Sequence, residues 1–383
     1  MQITRLILKN WRNFKQADIP LDSRTYLIGA NASGKSNLLD VFRFFRDICK
    51  ASGGGLQKAI ADRGGITRLR CLQARQDTEV RLEIHLSEHP NDPVATWQYA
   101  LAFKAEGKGA QRILLTEERV HHRGQEILCR PDPADASDTL RLTQTHLEQI
   151  NNNQQFRAIA EHFQDLTYLH LVPQLLKHAR EINGHFLEDD PFGQGLLQRI
   201  ACTPKNTRDA RLKRTQQVLA LAVSQFSELR FCKDEVSGLP HLEACYQHWR
   251  PNGAWQREDQ FSDGTLRLIG LLWALQEGNG LLLLEEPELS LNDAIVGQIP
   301  LMIDRILRKR KLNRQVIIST HSETLLAGLG SADQVLLLEP TKDGTRIRPA
   351  NEEEKQLLDA GLNPAEVLLP KTRLANMDQL GLL

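Results

Sequence analysis

Apolar residues recur along this chain with the periods of strands and of helices, and the two periods alternate. Apolar runs predict strands around Ile3, Leu6 and Leu8 and at Ala17–Leu21, Thr25–Ile28, Val80–Leu86, Trp97–Phe103, Arg112–Val120, Leu281–Leu284, Gln315–Thr320 and Gln334–Leu338. Helical spacing predicts helices over Ser36–Asp47, near Thr143–Phe163 and near Thr207–Phe226. This alternation predicts an α/β core with a mainly parallel sheet, beside an antiparallel sheet formed by the strands of residues 80–120.

The chain changes character between about Asp138 and Leu229, where Gln, Arg, Leu and Ala dominate. We interpret this stretch as a mainly helical insertion and place its bounds at residues 138–250. The chain then divides into an N-terminal lobe (1–137), the insertion, a C-terminal lobe (251–340) and an unassigned tail (341–383). The sequence contains no internal repeat and no heptad run long enough for a coiled-coil arm.

Composition places the chain among globular proteins, because 41% of its 383 residues are apolar and 25% are charged. Lys and Arg together number 48, as do Asp and Glu, so the formal net charge is zero. A nucleic acid would therefore have to bind at a local basic patch, since the chain has no overall positive field.

The six cysteines are scattered and form no C-x-x-C pair, which predicts neither a disulfide framework nor a zinc site and fits a reducing compartment. The first residues lack the apolar core of a signal peptide. No apolar run reaches the ~20 residues that span a bilayer. We therefore expect a soluble, cytoplasmic protein with no membrane partner.

Residues 29–36 read GANASGKS, which satisfies the pattern G-x-x-x-x-G-K-[ST] between a predicted strand and a predicted helix. Gly29 and Gly34 permit a tight turn whose backbone N–H groups surround phosphate oxygens. Lys35 would place a positive charge on the β- and γ-phosphates, and the Ser36 hydroxyl would ligate Mg²⁺. The alternative is a glycine-rich turn with an exposed lysine, and the flanking strand and helix favour nucleotide binding.

A second motif, LLLLEEP at residues 281–287, is a buried-strand run that ends in two carboxylates. Ligands bind beyond the carboxyl ends of parallel strands. Glu285 would hold Mg²⁺ directly or through water, and Glu286 would polarise the attacking water. The alternative is a solvated acidic loop after a core strand.

Two further motifs flank the acidic strand. Residues 260–267 read QFSDGTLR, in which Ser262 is a natural N-cap and Gly264 exposes backbone N–H groups at a positive helix end. Residues 316–322 read VIISTHS, a strand that ends at His321. Taken alone, the first is a well-capped helix and the second a structural histidine. Beside a nucleotide, His321 could donate a hydrogen bond to the γ-phosphate.

The order of these four motifs resembles the ATP-binding-cassette type of P-loop ATPase, in the branch that contains SMC, RecF and OLD proteins. The resemblance covers residues 1–105 and 256–338, and it is greatest to stand-alone bacterial AAA-family ATPases with "LKNWRNF" and "FSDGTLR" segments. Many of these are encoded beside nucleases or toxins in anti-phage defence. The resemblance implies an α/β P-loop NTPase fold, with an ABC-ATPase-like head, an antiparallel β subdomain and the helical insertion.

The resemblance also implies residue roles. The implied nucleotide-binding residues are Arg12, Asn13, Gly29, Asn31, Ser33, Gly34, Lys35, Ser36 and Asn37. The implied signature, which acts on the ATP of the opposite subunit, is Ser262, Asp263 and Gly264, and the implied D-loop is Asn292 and Asp293. The implied metal ligands are Ser36 and Glu285. The implied catalytic residues are Glu286, His321 and Lys35. ATP and Mg²⁺ are the implied cofactors, sandwiched in a head-to-tail homodimer.

The sequence departs from this family in several ways. Glu285 stands where most members have Asp, and the signature reads Ser-Asp-Gly rather than Ser-Gly-Gly. The glutamine of the Q-loop has three candidates: Gln57, Gln73 and Gln76. The SMC coiled-coil arms are absent, and the tail is too short for the nuclease domain of OLD proteins. The acidic run 188–190 is more typical of a solvated loop than of a nuclease centre.

The leading functional hypothesis is an ATPase that dimerises around ATP and switches a DNA-directed or anti-phage defence complex, with a separate nuclease or toxin as effector. One alternative is a slow-cycling ATP-bound scaffold or sensor that holds the effector. Another is a RecF-like DNA repair ATPase. In a DNA-engaging head for repair or defence, the basic segments 308–311 or Arg208–Arg214 would contact DNA phosphates, and the alternative for these segments is a solvated helix face. A transporter subunit and a P-loop kinase fit the motifs less well.

Overall fold

The computed structural model describes residues 1–74, 76–89, 92, 94–107, 112–178, 190–247, 253–309, 314–330 and 332–372. The strands in this part of the chain are β1 (Gln2–Trp11), β2 (Phe14–Pro20), β3 (Arg24–Gly29), β4 (Val80–Ser87), β5 (Trp97–Ala105), β6 (Ile113–His122), β7 (Gln125–Arg130), β8 (Thr167–Leu169), β9 (Phe226–Lys233), β10 (Pro240–Tyr246), β11 (Ala254–Arg257), β12 (Leu282–Glu285), β13 (Val316–Ser319), β14 (Gln334–Thr341) and β15 (Gly344–Pro349).

The helices of the described chain alternate with these strands. They are α1 (Lys35–Cys49), α2 (Leu56–Ala61), α3 (Ile66–Leu69), α4 (Pro133–Ser137), α5 (Arg157–Gln164), α6 (Pro173–Lys177), α7 (Leu196–Cys202), α8 (Lys205–Ala222), α9 (Asp263–Gln276), α10 (Asp293–Val296), α11 (Ile299–Lys309), α12 (Glu323–Ala327), α13 (Glu352–Asp359) and α14 (Pro364–Leu368). Short 3₁₀ turns occur at Thr139–Thr143, Glu258–Gln260 and Leu369–Thr372.

Contacts divide the chain into two compact units. The first contains Met1–Leu166, Asn279–Leu283 and Asn313–Leu383, and the second contains Thr167–Gly278 and Leu284–Leu312. The chain passes from one unit to the other within β12. Residues 138–166 of the predicted insertion therefore pack in the first unit, and the second unit extends past residue 250 through the signature helix.

The first unit contains an antiparallel sheet and a mainly parallel one. The antiparallel sheet has the order β2-β1-β4-β5-β6-β7, and it contains the three antiparallel strands predicted within residues 80–120. In the other sheet β3 lies between β14 and β13, parallel to both, β15 pairs antiparallel with β14, and β12 follows β13. The predicted α/β fold with a mainly parallel core is confirmed.

An aromatic cluster packs α1 in the first unit. Phe44 of α1 contacts Trp11 of β1 and Phe103 of β5, with ring centroids 5.1 and 5.7 Å apart. Phe45 stacks on Phe163 of α5 at 4.9 Å and meets Tyr99 edge-on. These rings are fully buried. Aromatic burial of this size anchors the helix that follows the glycine-rich loop.

The second unit packs its own apolar core around α9. Every residue of α9 from Thr265 to Gln276 is buried. Such burial is expected of a helix that has apolar residues on all its sides. The side chains around it come from α6, α7, α8, β9 and β10. The three-stranded antiparallel sheet β11-β10-β9 belongs to this unit, and β8 neighbours β12.

Two of the predicted elements need correction. The helix predicted near Thr143–Phe163 begins only at Arg157, because polar side chains bond the preceding backbone into turns, for example Asn153 Nδ2 to Leu147 O at 3.0 Å. The helix predicted near Thr207–Phe226 is confirmed as α8 but stops at Ala222, and Phe226 already opens β9. The insertion therefore contains a sheet as well as helices.

The tail, left unassigned from the sequence, has regular structure in its described part. It contains the end of the β14–β15 hairpin, α13 and α14, and α14 is buried against Ile28, Leu326 and Leu337 in the first unit. All six cysteines are free thiols. Among the described residues, no helix is long and apolar enough to cross a membrane, and no group of His, Cys, Asp or Glu is arranged as a metal site.

A buried ion-pair network joins the end of β7 to β6 in the first unit. The guanidinium of Arg130 donates to Glu118 at 2.8 Å and to both oxygens of Asp135 at 2.9 Å. All three side chains are at most 1% exposed. Burial acts to raise the pKa of Asp135, but hydrogen bonds, above all those from Arg130, hold this pKa well below its usual range. Glu118 also accepts from Tyr99.

We predict that Arg130→Met destabilises the protein by ~3–5 kcal/mol, because it leaves two buried carboxylates without their cation. The measurement is the denaturation midpoint in urea. The difference from the wild type should shrink as the pH falls below about 4, the usual pKa of an aspartate, because the wild type then loses the stability that the lowered pKa of Asp135 supplies.

The matched control is Arg119→Met on the neighbouring strand β6, because Arg119 is half-exposed and pairs with the exposed Glu126. This control should change the free energy of unfolding by less than ~0.5 kcal/mol. Equal destabilisation by both variants would contradict a special role for the buried network.

Candidate functional site

The glycine-rich loop runs from the end of β3 to the start of α1, as predicted. Ala32 and Gly34 are left-handed, with φ of 62° and 104°. Left-handed residues in such a turn make backbone N–H groups converge on an anion. Asn31 and Ser36 are exposed at the loop surface, and Ser33 and Lys35 are buried. The loop therefore has the conformation that a phosphate-binding turn requires.

Two side chains of the loop fit a phosphate ligand. Lys35 Nζ donates to the carbonyls of Gly29 at 3.0 Å and Ala30 at 3.3 Å, so its charge lies against the loop backbone. The Ser33 hydroxyl is completely buried and has no hydrogen-bond partner in the described part of the chain. A buried hydroxyl without a partner costs free energy, and a phosphate oxygen is a ligand that would satisfy it.

Close neighbours explain both glycines of the loop. A Cβ on Gly29 would lie 2.5 Å from Ser33 Oγ and 2.6 Å from Leu338 O of β14. A Cβ on Gly34 would lie 2.0 Å from Asn13 Nδ2. The sequence predicted the glycines from the turn alone, and the packing of β14 and of the β1–β2 turn adds a second constraint.

Asn13 is the hub of the contacts around this loop. Its Nδ2 donates to Ser33 O at 2.9 Å and to Thr345 Oγ1 at 2.6 Å, and its Oδ1 accepts from Asn37 Nδ2 at 2.8 Å. Thr345 Oγ1 donates in turn to Ser33 O at 2.8 Å. The structure thus brings Asn13 and Asn37 to the loop. The contact of Thr345 with the loop was not predicted, because the segment around Thr345 contains no motif.

Arg12 faces the first turns of α1. Its Nη2 donates to Asp40 at 3.1 Å, and Arg63 binds the same carboxylate at 2.9 Å. The backbone of Arg12 is left-handed, with φ of 51°. Arg12 is therefore held by α1 itself, one turn beyond the loop, and its role toward a nucleotide stays a prediction.

His321 lies at the end of β13, next to the strand that enters the loop. Thr320 N donates to Leu27 O at 3.1 Å, which continues the parallel pairing of β13 with β3. The side chain of His321 is exposed, and the next residue, Ser322, caps α12 through Leu325 N. Because both strands end at the same edge, the first unit brings the strand end before His321 to the edge where the loop begins.

Of the Q-loop candidates, Gln57 uses both its side-chain nitrogen and its side-chain oxygen in hydrogen bonds with backbone groups. Its Nε2 donates to Ile113 O and Thr143 O, both at 2.8 Å, and its Oε1 accepts from Ile113 N. Gln73 contacts Cys71 Sγ at 3.1 Å, and Gln76 is exposed. The structure does not bring these glutamines to the loop contacts described above.

In the second unit, Ser262 is the N-cap of α9, as predicted, and its Oγ accepts from Thr265 N at 3.1 Å. Asp263 accepts from Lys177 Nζ at 2.7 Å and from Gln174 Nε2 at 2.5 Å. This explains the departure from Ser-Gly-Gly, because the extra carboxylate is neutralised by a lysine of α6. The first residue of the signature turn, Ser262, is exposed.

The signature turn touches the segment predicted as the D-loop. A Cβ on Gly264 would lie 2.6 Å from Ser290 O, and Ser290 is left-handed with φ of 61°. Asn292 then caps α10 by accepting from Ala294 N at 2.9 Å, and Asn292 and Asp293 are exposed. The second unit thus holds Gly264 and the D-loop in contact.

The two carboxylates that end β12 have different surroundings. Glu285 accepts a short hydrogen bond from the Tyr168 hydroxyl, and its backbone carbonyl lies 3.3 Å from His170 Nδ1. Glu286 is left-handed, with φ of 45°. Left-handed backbone at a non-glycine residue stores free energy and concentrates at functional sites. Tyr168 and His170 were missed, because neither the short strand β8 nor the residue that follows it belongs to a motif.

Arg267 lies one turn into α9 and is another residue to which the sequence assigned no role. Its side chain is buried, and its Nε and Nη1 have no hydrogen-bond partner among the described residues. Burial lowers the pKa of Arg267, against the attraction of Glu288, Asp263 and Glu286. A cation therefore lies among the acids of this unit.

Of the acidic run 188–190, Asp190 pairs with Arg199, and the other two residues lie outside the described part of the chain.

Two arginines of the basic segment on α8 lie on aromatic rings, Arg208 on Phe231 and Arg211 on Trp273. Arg308 pairs with Asp304, and residues 310–311 are not described.

The sequence matches the model of the family described as "AAA domain, putative AbiEii toxin, Type IV TA system" over residues 24–327. The chain belongs to this AAA family. Its match spans the loop, the signature turn, the acidic strand and His321. No curated protein matches the sequence.

Solved structures show the same fold as this AAA-family chain. One is an SMC head bound to the C-terminal winged-helix domain of ScpA, with 17% identity, coverage of 93% of this chain and 100% of that chain, and a TM-score of 0.55. Another is an SMC head with an extended coiled coil bound to the C-terminal domain of ScpA, derived from Pyrococcus furiosus, with 14% identity, coverage of 94% and 98%, and a TM-score of 0.51. The chain, a member of this AAA family, therefore has the fold of SMC head domains.

We predict that Gly34→Ala weakens ATP binding at least about tenfold, because the new methyl group meets Asn13 and the residue must stay left-handed. The measurement is equilibrium titration with ATP and Mg²⁺. Gly124→Ala is the matched control, since Gly124 has φ of 83° and open space around it. Unchanged affinity in Gly34→Ala would contradict the loop assignment.

Proposed function

We propose that this chain binds ATP with Mg²⁺, dimerises head to tail around it and hydrolyses it as a conformational switch. The observation that carries the proposal is the glycine-rich loop, whose left-handed turn, buried lysine and buried Ser33 hydroxyl without a partner suit a polyphosphate. The exposed end of α9 supports the dimer, because a helix N-terminus attracts the phosphates of a second molecule.

At the loop, backbone N–H groups around Asn31 and Gly34 bind the phosphate oxygens. Lys35 then exchanges the carbonyls of Gly29 and Ala30 for the β- and γ-phosphates. Ser36 and Glu285 are the residues that would hold Mg²⁺, and the ion would supply positive charge to the phosphate oxygens. The Tyr168 hydroxyl orients the Glu285 carboxylate for this role.

Glu286 is the proposed general base. It accepts a proton from the attacking water, and its left-handed backbone ends the extended path of β12 at the preceding residue. His321 donates a hydrogen bond to the γ-phosphate, and loss of that phosphate after hydrolysis removes the contact. The switch therefore depends on groups that bind only the triphosphate state.

The signature turn acts on the nucleotide of the partner subunit. Ser262 and the N-terminal N–H groups of α9 donate to its γ-phosphate, and Asn292 and Asp293 contact the same interface. Because Lys177 pairs with Asp263, the carboxylate in the signature does not repel the phosphate. Several charge-assisted hydrogen bonds at ~1.5–3 kcal/mol each suffice for the ~5.5 kcal/mol that moves an equilibrium from 1:99 to 99:1.

We propose further that the switch controls a separate effector, a nuclease or toxin, or DNA in a defence or repair complex. The family description names a toxin of a type IV toxin–antitoxin system, and the SMC heads of similar fold are bound to domains of a partner protein. A basic contribution to DNA binding would come from Lys213 and Arg214, which are exposed on α8.

We predict that Glu286→Gln binds ATP with nearly wild-type affinity but hydrolyses it at least ~100-fold more slowly, because the amide cannot accept the proton. The variant should also remain dimeric longer after ATP is added. Phosphate release and light scattering are the measurements, with the exposed surface change Glu352→Gln as control. Unchanged phosphate release would defeat the assignment. Wild-type turnover that stays negligible until a partner is added would favour the scaffold or sensor.

The trans arrangement predicts complementation between two inactive proteins. Lys35→Ala lacks the phosphate lysine, and Ser262→Arg blocks the signature. In a mixed dimer, one composite site joins the intact loop of one subunit to the intact signature of the other. We expect ATPase activity to appear on mixing, measured as phosphate release against each protein alone. Persistent inactivity of a mixture shown to contain heterodimer would exclude action in trans.

A further inference from the structure

The β14–β15 hairpin reaches the glycine-rich loop through one residue. Thr345, 6% exposed at the start of β15, donates its hydroxyl proton to Ser33 O at 2.8 Å. The same carbonyl accepts from Asn13 Nδ2 at 2.9 Å, and this amide also donates to the Thr345 hydroxyl at 2.6 Å. One carbonyl of the loop is therefore held by two donors that are themselves bonded to each other, an arrangement that strengthens each bond.

The hairpin is itself held in place against Asn13. Thr345 N donates to Asn13 O at 2.7 Å. Gly344 is left-handed with φ of 113°, and a Cβ there would lie 2.7 Å from the same carbonyl oxygen. The hairpin can approach so closely only because this residue is glycine. Asn13 and Thr345 thus bond each other through backbone and side chain, and they meet at the carbonyl of Ser33.

The direction of the Ser33 carbonyl determines the direction of a neighbouring N–H group. A peptide unit is planar and trans, so the C=O of Ser33 and the N–H of Gly34 point to opposite sides of it. A carbonyl held toward Asn13 and Thr345 keeps the Gly34 N–H on the other side. In loops with this pattern, backbone N–H groups are the ligands of the phosphates.

We propose that Thr345 is a positioning residue for the nucleotide. Its hydroxyl, together with the Asn13 amide, sets the orientation of the Ser33–Gly34 peptide, so the C-terminal hairpin is part of the phosphate-binding site although it touches no phosphate. This inference rests on the proposed function, since it assumes that the loop binds a nucleoside triphosphate.

The test compares Thr345→Val with Thr345→Ser. Valine keeps the shape and loses the hydroxyl, and serine keeps the hydroxyl. We expect valine to weaken the binding of both ATP and ADP about tenfold, as the loss of one buried hydrogen bond predicts. Serine should restore affinity to within about twofold of the wild type. Equilibrium dissociation constants are measured by titration, and thermal unfolding without nucleotide is measured in parallel.

The matched control is Thr341→Val in the same hairpin. The Thr341 hydroxyl donates to Gly344 O at 2.5 Å, so this variant weakens the hairpin without removing a bond to the loop. It should lower thermal stability as much as Thr345→Val does and leave nucleotide affinity unchanged. Equal loss of affinity in both variants would show that hairpin stability, rather than the Thr345 hydroxyl, matters, and would overturn the proposal.

Two further outcomes separate the positioning role of Thr345 from the proposed function. Wild-type affinity in Thr345→Val, or valine-like affinity in Thr345→Ser, overturns the positioning role and leaves the proposed function intact. If neither the wild type nor Thr345→Ser binds any nucleoside triphosphate, the proposed function itself fails. Should Thr345→Val not fold, Thr345→Cys replaces it, because a thiol is a weak donor. Wild-type affinity in that variant would equally overturn the proposal.

Discussion

A loop that binds phosphate through its backbone must be held by groups outside itself, because its own N–H groups are reserved for the ligand. Here those groups come from far along the chain. Asn13 and Thr345 bond the Ser33 carbonyl, and Leu338 packs so closely on Gly29 that no side chain fits there. The conformation of residues 29–36 therefore depends on the β1–β2 turn and on the β14–β15 hairpin. The motif alone does not determine it.

The second unit applies the same constraint to a helix end. Ser262 satisfies the first turn of α9, Lys177 neutralises Asp263, and Gly264 allows the Ser290 carbonyl to approach. Because α9 is buried on all sides over most of its length, its N-terminus cannot shift without disturbing the core of this unit. The segment predicted as the signature thus lies in direct contact with the segment predicted as the D-loop.

At the end of β12, a hydrogen bond, a left-handed backbone and a buried cation occur around two carboxylates. Glu285 is oriented by a tyrosine, Glu286 is left-handed, and the guanidinium of Arg267 is buried among the acids of the same unit. The left-handed backbone of Glu286 and the burial of Arg267 cost free energy in the folded protein, and the combination is more typical of a functional centre than of a solvated acidic loop. This surrounding supports the division of labour between the two glutamates.

The sequence by itself determined the α/β fold, the mainly parallel core, the glycine-rich loop and the cap of α9, because these depend on local apolar periods and on short motifs whose chemistry is contained in neighbouring residues. It failed where polar side chains compete with a helix, as between Thr143 and Arg157, and where a sheet follows a helix with little apolar pattern, as at Phe226. The contacts of Tyr168 and Thr345 were decided only by the tertiary structure. Each acts through a partner distant in sequence, and no local pattern reports which carbonyl or carboxylate a side chain will reach once the chain has folded.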